Sequence, residues 1–442
     1  MKSLCLLLSN VFFFCFSFAE LRVERVERPE YHFPQLQEII TRLNEQAPDL
    51  LLSKLELEEA SIKQEIVRSS HGANLEFSLS GLSIQEDRPN RNFDQRYDAF
   101  ASLNAKKPIY HSGALEAKET IAELEKYQAE SNLEFRKKFL EIEIRALFLE
   151  LVVLHFRKAT SIERISLASQ NLNDQKIRQK KGMVSMVDVS ETEMDLINQE
   201  IVLSELKLKI GKEEAKFRSL SGFDNVLDFE VRSSFLEFCR DYKFPDNFLL
   251  LVGGTNLEIN QLESFIKREN QKVVIAESEM LPKFNLVGSV FQDQVDTVSN
   301  DERVNRNNIL FGIEASWALW DSGKSKNEKR ASIIRKRMYQ TELELARRKM
   351  RMFTESKRKE LLSLLERITL SRKLLSVSMD YLSKCEMEFS QSRKSDLDLL
   401  SAQLEVDSAK LANIEAVCRY LCTLDLYEQQ LGAPSFSIPQ KR

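Results

Sequence analysis

Gly182-Met183-Val184-Ser185-Met186-Val187-Asp188 and Ser392-Arg393-Lys394-Ser395-Asp396-Leu397-Asp398 are two versions of one turn, set 210 residues apart. Working outward, Ser112-Gly113 returns as Ser322-Gly323, and Leu220-Ser221-Gly222 returns as Gln430-Leu431-Gly432, all at the same spacing of 210. No insertion or deletion separates the copies between Gly113 and Gly222. Such a period is far too long for a solenoid, so the chain carries two tandem copies of one large unit.

Composition says what the unit is made of. The 442 residues include only 12 glycines and 9 prolines, while 30% are charged. Few breakers and many Glu, Lys, Leu and Ser favour long helices with wide solvated faces. The net charge of −4, interspersed along the chain, offers no basic footprint for nucleic acid. Residues 1–19 read as an export signal, with Lys2, the apolar run Leu4 to Phe16 and Ser17-Phe18-Ala19 before Glu20. That run is too short for a spanning helix, and no later apolar run reaches 18 residues. A membrane crossing by the mature chain would therefore need strands in a closed barrel. Cys239, Cys385, Cys418 and Cys422 contain no CxxC pair and read as small buried residues rather than as a disulfide framework.

Each copy has the order leading helix, strand, loop, strand, long helix, turn, returning helix. Phe77-Ser78-Leu79-Ser80-Gly81 and Phe284-Asn285-Leu286-Val287-Gly288 share the alternation Phe-x-Leu-x-Gly. Hairpins are expected at about 77–106 and 284–317, with strands of about ten residues. In the last strand Ile309, Phe311, Ile313, Ala315 and Trp317 share one face; Leu310, Gly312, Glu314 and Ser316 share the other. Apolar residues outside and polar ones inside suit a membrane barrel, but four strands are too few to close one. Either several chains contribute strands, or the hairpins are soluble.

Sevenfold recurrence dominates the helices: Phe135, Ile142, Leu149, Phe156 in the first copy and Leu361, Ile368, Leu375, Leu382 in the second. Val187, Met194, Ile201 and Leu208 in one returning helix match Leu397, Leu404, Leu411 and Cys418 in the other. This is coiled-coil spacing. The first long helix, from Gly113 to about Lys180, is about 100 Å long at 1.5 Å per residue. Flanking helices from Leu36 to Ser70 and from Met186 to Arg218 are half as long, so each copy reads as a stave. The expected division is residues 20–34 as a lead segment, 35–222 and 246–432 as the repeats, 223–245 as a linker and 433–442 as a tail.

Pro108-Ile109-Tyr110-His111-Ser112-Gly113 and Ala318-Leu319-Trp320-Asp321-Ser322-Gly323 resemble the strand-to-helix junctions of the TolC-like outer membrane factor family. Ala47-Pro48-Asp49-Leu50 is similar to its leading-helix opening, and Met280 to Leu286 to its helix-to-strand transition. Lys181-Gly182 through Asp188-Val189 resembles its hairpin tip. The match runs from about Gln35 to Gly432. It implies a mainly α fold with a small β part, assembled as a homotrimer: an α-helical barrel across the periplasm and a twelve-stranded β-barrel in outer-membrane lipid. The implied function is a passive export duct of a tripartite efflux or type I secretion system, without cofactor, metal or catalysis. A periplasmic adaptor and an inner-membrane transporter are the implied partners, the adaptor meeting the tips at Gly182, Ser185, Ser392 and Ser395. Localisation is the outer membrane, with the helices in the periplasm.

The same resemblance places the tunnel's constriction at Asp188 and Glu191 in the first copy and Asp398 in the second, Ser401 replacing a fourth acid. Lys394 stands where the family ties the tip closed with a basic side chain. Threefold carboxylates round a narrow aqueous pore favour cations; a carboxylate just after Ser185 or Ser395 equally suits a helix N-terminus. Both readings stay open here. Departures are Ser392 in place of Gly182, which predicts a second tip of different shape, and His111 in place of Asp321. The alternative to a duct is a periplasmic adaptor or structural coiled coil without a pore. His32, His71, His111 and His155 sit in separate elements, and Gly253-Gly254 lacks the context of a phosphate loop. An enzyme is not expected.

Overall fold

A computed structural model describes residues 27–88, 91–223, 229, 231–244, 256–296 and 303–431. The expected signal segment, most of the lead segment, Gly253-Gly254, Gly432 and the tail lie outside the described residues. Parts of the linker and of both hairpin loops lie outside them too.

The helices that lead into the first hairpin are α1 (Pro34–Gln46) and α2 (Pro48–Ser69). One helix from Leu36 to Ser70 was expected; Pro48 divides it. The residue before a proline is pushed out of the helical region, and Ala47 is extended, with ψ 119°. Pro48 then opens α2, where its missing N–H costs nothing.

Strands β1 (Asn74–Arg88), β2 (Arg91–Tyr110), β3 (Lys283–Asp296) and β4 (Arg303–Ser316) form one antiparallel sheet in the order β1-β2-β3-β4. At 15, 20, 14 and 14 residues they exceed the ten expected. The difference lies in their polar ends, where ladder hydrogen bonds continue beyond the apolar alternation. The two hairpins, 210 residues apart in pattern at their junctions, join through β2 and β3, with Leu103 opposite Val290 and Ala105 opposite Gly288.

Beyond the sheet run two equal helices, α3 (Ala114–Lys180) and α7 (Lys324–Ser390), of 67 residues each. Both start after a left-handed pair: Ser112 and Gly113 at φ 52° and 83°, Ser322 and Gly323 at φ 57° and 82°. Two such residues turn the chain sharply from strand into helix, and glycine takes the second without a Cβ penalty. Their returning partners are α4 (Met186–Ser221) and α8 (Asp396–Gln430), while α6 (Leu257–Ser278) leads the second repeat. Helix α3 packs against α2 and α4 on one side and α6 and α8 on the other; α7 packs against α6 and α8. The molecule is thus a layer of helices ordered α2/α4, α3, α6/α8, α7, with α7 at one edge.

That order explains an asymmetry between the matched heptads. In α8, between two neighbours, Leu404 and Cys418 are buried. In α4, at the other edge, Val187, Met194, Ile201 and Leu208 are all more than half exposed. The face of α4 that meets α3 uses Val189, Leu206, Ile210 and Phe217 instead.

Halfway along the helices the described residues of the linker form a structured belt with the leading segment. Helix α5 (Ser233–Asp241) buries Phe235, Phe238 and Cys239 against Phe33 and Leu36 of the leading segment and Phe148 of α3. Phe33 meets Phe148 at 5.2 Å and Phe235 at 5.0 Å between ring centroids. Arg372 donates to the Cys239 and Tyr242 carbonyls, fixing the end of α5 to α7. A further tie is ionic: buried Arg145 of α3 donates to Glu30 at 2.8 Å and to Asp425 of α8 at 2.7 Å. Removing one member of such a group would strand buried charge, at about 3–5 kcal/mol.

Candidate functional site

At the tips, both returning helices open with the same cap. Ser185 accepts from the Asp188 N–H at 3.2 Å while Asp188 accepts from the Ser185 N–H at 3.0 Å. Ser395 and Asp398 repeat this at 3.3 and 2.9 Å, and the Ser395 hydroxyl also donates to Asp398 at 2.7 Å. These reciprocal bonds satisfy orphan N–H groups at the helix start. The Ser395 backbone N–H and hydroxyl, aided by Lys394, hold the Asp398 carboxyl below its usual range. Both aspartates are therefore caps in this chain, and both remain exposed to solvent.

The two tips turn alike, contrary to the expectation from Ser392. Ser392 takes the left-handed conformation at φ 56°, close to Gly182 at 71°. The bonds agree as well: Gly182 N–H to Gln179 and Met183 N–H to Arg178 match Ser392 N–H to Phe389 and Arg393 N–H to Glu388. The turn's hydrogen bonds impose the shape, and serine tolerates it at some cost.

What differs is chemistry. Between α3 and α4 lies a groove of about 600 Å³ lined by Asp188, Glu191 and Asp195 with Asn171, Gln175 and Asn198. Spacings of three and four residues put its carboxylates on one helical face. Asp195 was missed from the sequence, although that spacing was there to find it. At the second tip Lys394 folds back over its own hairpin. Its ammonium lies 3.3 Å from Cys385 Sγ, 5.2 Å from the Tyr381 ring centre and 3.8 Å from Glu388. So the structure brings Asp188 and Glu191 together, and Lys394 close to Asp398, but puts each pair on its own hairpin.

At the opposite end the sheet has two unlike faces. Opposed residues Phe77, Leu103, Val290 and Ile309 form one row on one side, followed by Leu75, Ala105, Gly288 and Phe311. Phe77, Ile309 and Phe311 are more than two-thirds exposed. The other side carries Lys106 paired with Glu314 at 2.9 Å, Ser289 bonded to Asn104 at 2.6 Å and Ser78 bonded to Ser102 at 2.7 Å. Next to the junctions, Trp317, Leu319, Trp320 and Tyr110 are exposed. Asp321 caps α7: the Ser325 hydroxyl, with the Ser325 and Gly323 N–H groups, donates to its carboxyl and holds it low. His111, its counterpart, bonds Asn285 at 2.9 Å across the repeats instead.

Among the described residues no helix is long and apolar enough to cross a membrane, and no cluster of side chains is set to hold a metal ion. No family model matches the chain, and no curated protein matches it. Solved structures do. The CmeC outer membrane channel of Campylobacter jejuni is 15% identical, with 90% of this chain and 85% of that chain covered and a TM-score of 0.70. VceC, an outer membrane protein of Vibrio cholerae, is 15% identical over 91% of this chain and 97% of that chain, with a TM-score of 0.69. The open state of the MtrE outer membrane channel of Neisseria gonorrhoeae is 16% identical over 90% and 89%, with a TM-score of 0.62. From end to end, the chain has the fold of these outer-membrane channels, the TolC-like architecture that its junction and tip motifs resemble.

Proposed function

We propose that this chain is the outer-membrane duct of a tripartite efflux or type I secretion system, conducting cargo passively from the periplasmic side to the exterior. The observation that carries the reading is the sheet: four strands, open at both edges, with a large exposed apolar face. Unpaired strand edges and bare apolar surface are not stable in water. They are satisfied if copies of the chain close a barrel in lipid, and three copies would supply twelve strands. The apolar face then meets lipid, the face with the Lys106–Glu314 pair lines an aqueous lumen, and the exposed Trp and Tyr side chains anchor at the interface. Helices of 67 residues, about 100 Å long, would carry the tube into the periplasm. There the tips around Gly182, Ser185, Ser392 and Ser395 would meet an adaptor, and through it an inner-membrane transporter.

In this assembly Asp188, Glu191, Asp398 and Lys394 ring the periplasmic aperture. The capping role of Asp188 and Asp398 does not compete with a gating one, because both carboxylates stay exposed. The test is fractionation followed by single-channel recording. The protein is expected in the detergent-resistant outer-membrane fraction, and Asp398→Asn is expected to reduce cation preference. A soluble periplasmic monomer would refute the duct. Unchanged selectivity would leave Asp398 as a cap alone.

A further inference from the structure

Two edge helices carry apolar stripes that nothing in the chain covers. On α2, Leu50, Leu57, Gln64 and Val67 face α3, while Leu51, Leu55, Ile62 and Ile66 point away and are about half exposed or more. On α7, Ser325, Ser332 and Ala346 are buried toward its neighbours, while Ile334, Met338, Leu345 and Met352 point away and are likewise exposed. Each helix therefore has two opposite seams, and one seam of each is vacant.

The vacant seams are oppositely charged. Glu58 and Glu65 flank the α2 stripe; Arg330 and Arg337 flank the α7 stripe. All four are exposed, and none makes an ion pair within the described chain, whereas most of their neighbours do: Arg335 with Glu269, Lys329 with Glu277 and Arg347 with Glu263. We infer that α7 docks on α2 of a second copy of this chain, with Arg330 against Glu65 and Arg337 against Glu58 setting the register.

The chain contains its own template for that contact. The seam between α3 and α6 joins the first repeat to the second, as a seam between α7 and the next copy's α2 would join the second to the first. It is closed by Arg268 with Glu125 at 3.2 Å and Gln261 with Asn132 at 2.6 Å. Carrying it over by the repeat offsets, 210 from Gly113 to Gly323 and 209 from Pro48, which opens α2, to Leu257, which opens α6, sets Arg330 level with Gln64 and Arg337 level with Leu57. Glu65 and Glu58 are each one residue away, about 1.5 Å along the axis. Since α2 runs toward the sheet and α7 away from it, the helices are antiparallel, and the glutamates and arginines fall on the same flank of the seam. A contact between unlike edges is head-to-tail, and it closes successive copies into a ring when the rotation from copy to copy completes a full turn.

This inference rests on the stave reading of the proposed function, and its test separates the two. Full-length protein is purified in mild detergent at low salt, and its assembly state is read by native mass measurement. Arg330→Glu with Arg337→Glu is expected to weaken the assembly by roughly tenfold or more, and so is Glu58→Arg with Glu65→Arg. All four changes together are expected to restore it. Helical content by circular dichroism checks that each double variant folds. Wild-type assemblies that neither double variant disturbs would overturn the charge register and leave the tube standing; so would double variants that weaken it without rescue. A wild-type protein that stays monomeric would overturn the tube itself.

Discussion

At single residues, the tips depend on cap geometry more than on charge. Ser392 holds a left-handed conformation at φ 56° that costs an L residue about 1–2 kcal/mol, where its counterpart Gly182 pays nothing. Replacing Ser392 with glycine removes that strain but adds freedom to the unfolded chain, worth about 0.4–1 kcal/mol the other way. The net expectation is a gain of about 0.5 kcal/mol, seen as slower hydrogen exchange at the α7–α8 turn. Faster exchange would mean that the serine side chain supports the turn. Lys394 shows why one residue type is not one role. Its contacts with Cys385, Tyr381 and Glu388 anchor it to its own hairpin, and Val184 takes its place in the first repeat.

At the level of elements, the halfway belt is where burial and charge conflict. Glu428 of α8 faces Asp425 on its own helix, Arg28 on the leading segment and Arg145 on α3. Burial, reinforced by Asp425, pushes its carboxyl up to about 7 against the partial relief of the arginines. Glu141 of α3, beside the same cluster, is also raised by burial. The folded chain then holds a proton that the unfolded chain, titrating at 4.5, has already lost. Stability from Glu428 is therefore greatest at low pH and is lost as pH rises through about 7. Glu428→Gln is expected to raise the thermal midpoint at pH 8, with the gain shrinking toward pH 4.5. An equal gain at both values would rule out titration of this carboxyl as its source.

Much of this architecture was readable in the sequence, because periodicity over 67 residues and two matched strand patterns are strong local signals. The belt was not. Helix α5 spans nine residues, too few for a period to stand out, and its partners Phe33, Phe148 and Tyr420 come from distant segments. The division at Pro48 was legible but was overridden by the apolar pattern on either side. At the tip, Asp188 and Asp398 were visible both as caps and as acids, while Asp195 joins the groove only once α3 and α4 lie side by side. The sequence showed heptads in both returning helices; only the packing order reveals that one set is covered and the other bare.

For the whole molecule, the uncovered apolar surfaces and open strand edges of the described residues lie on its boundary. The β1 and β4 edges, the apolar sheet face, the bare seams of α2, α4 and α7, and the unpaired Arg330, Arg337, Glu58 and Glu65 all point outward. A single domain rarely leaves so much unmet. Closing several copies into a tube meets all of it at once, with lipid on the sheet and neighbours on the helices. The most direct measurement is the current through a planar lipid bilayer after adding the purified full-length protein. Discrete, uniform conductance steps from a trimeric fraction are expected. A folded, helical protein that adds no current and stays soluble without detergent would contradict the duct.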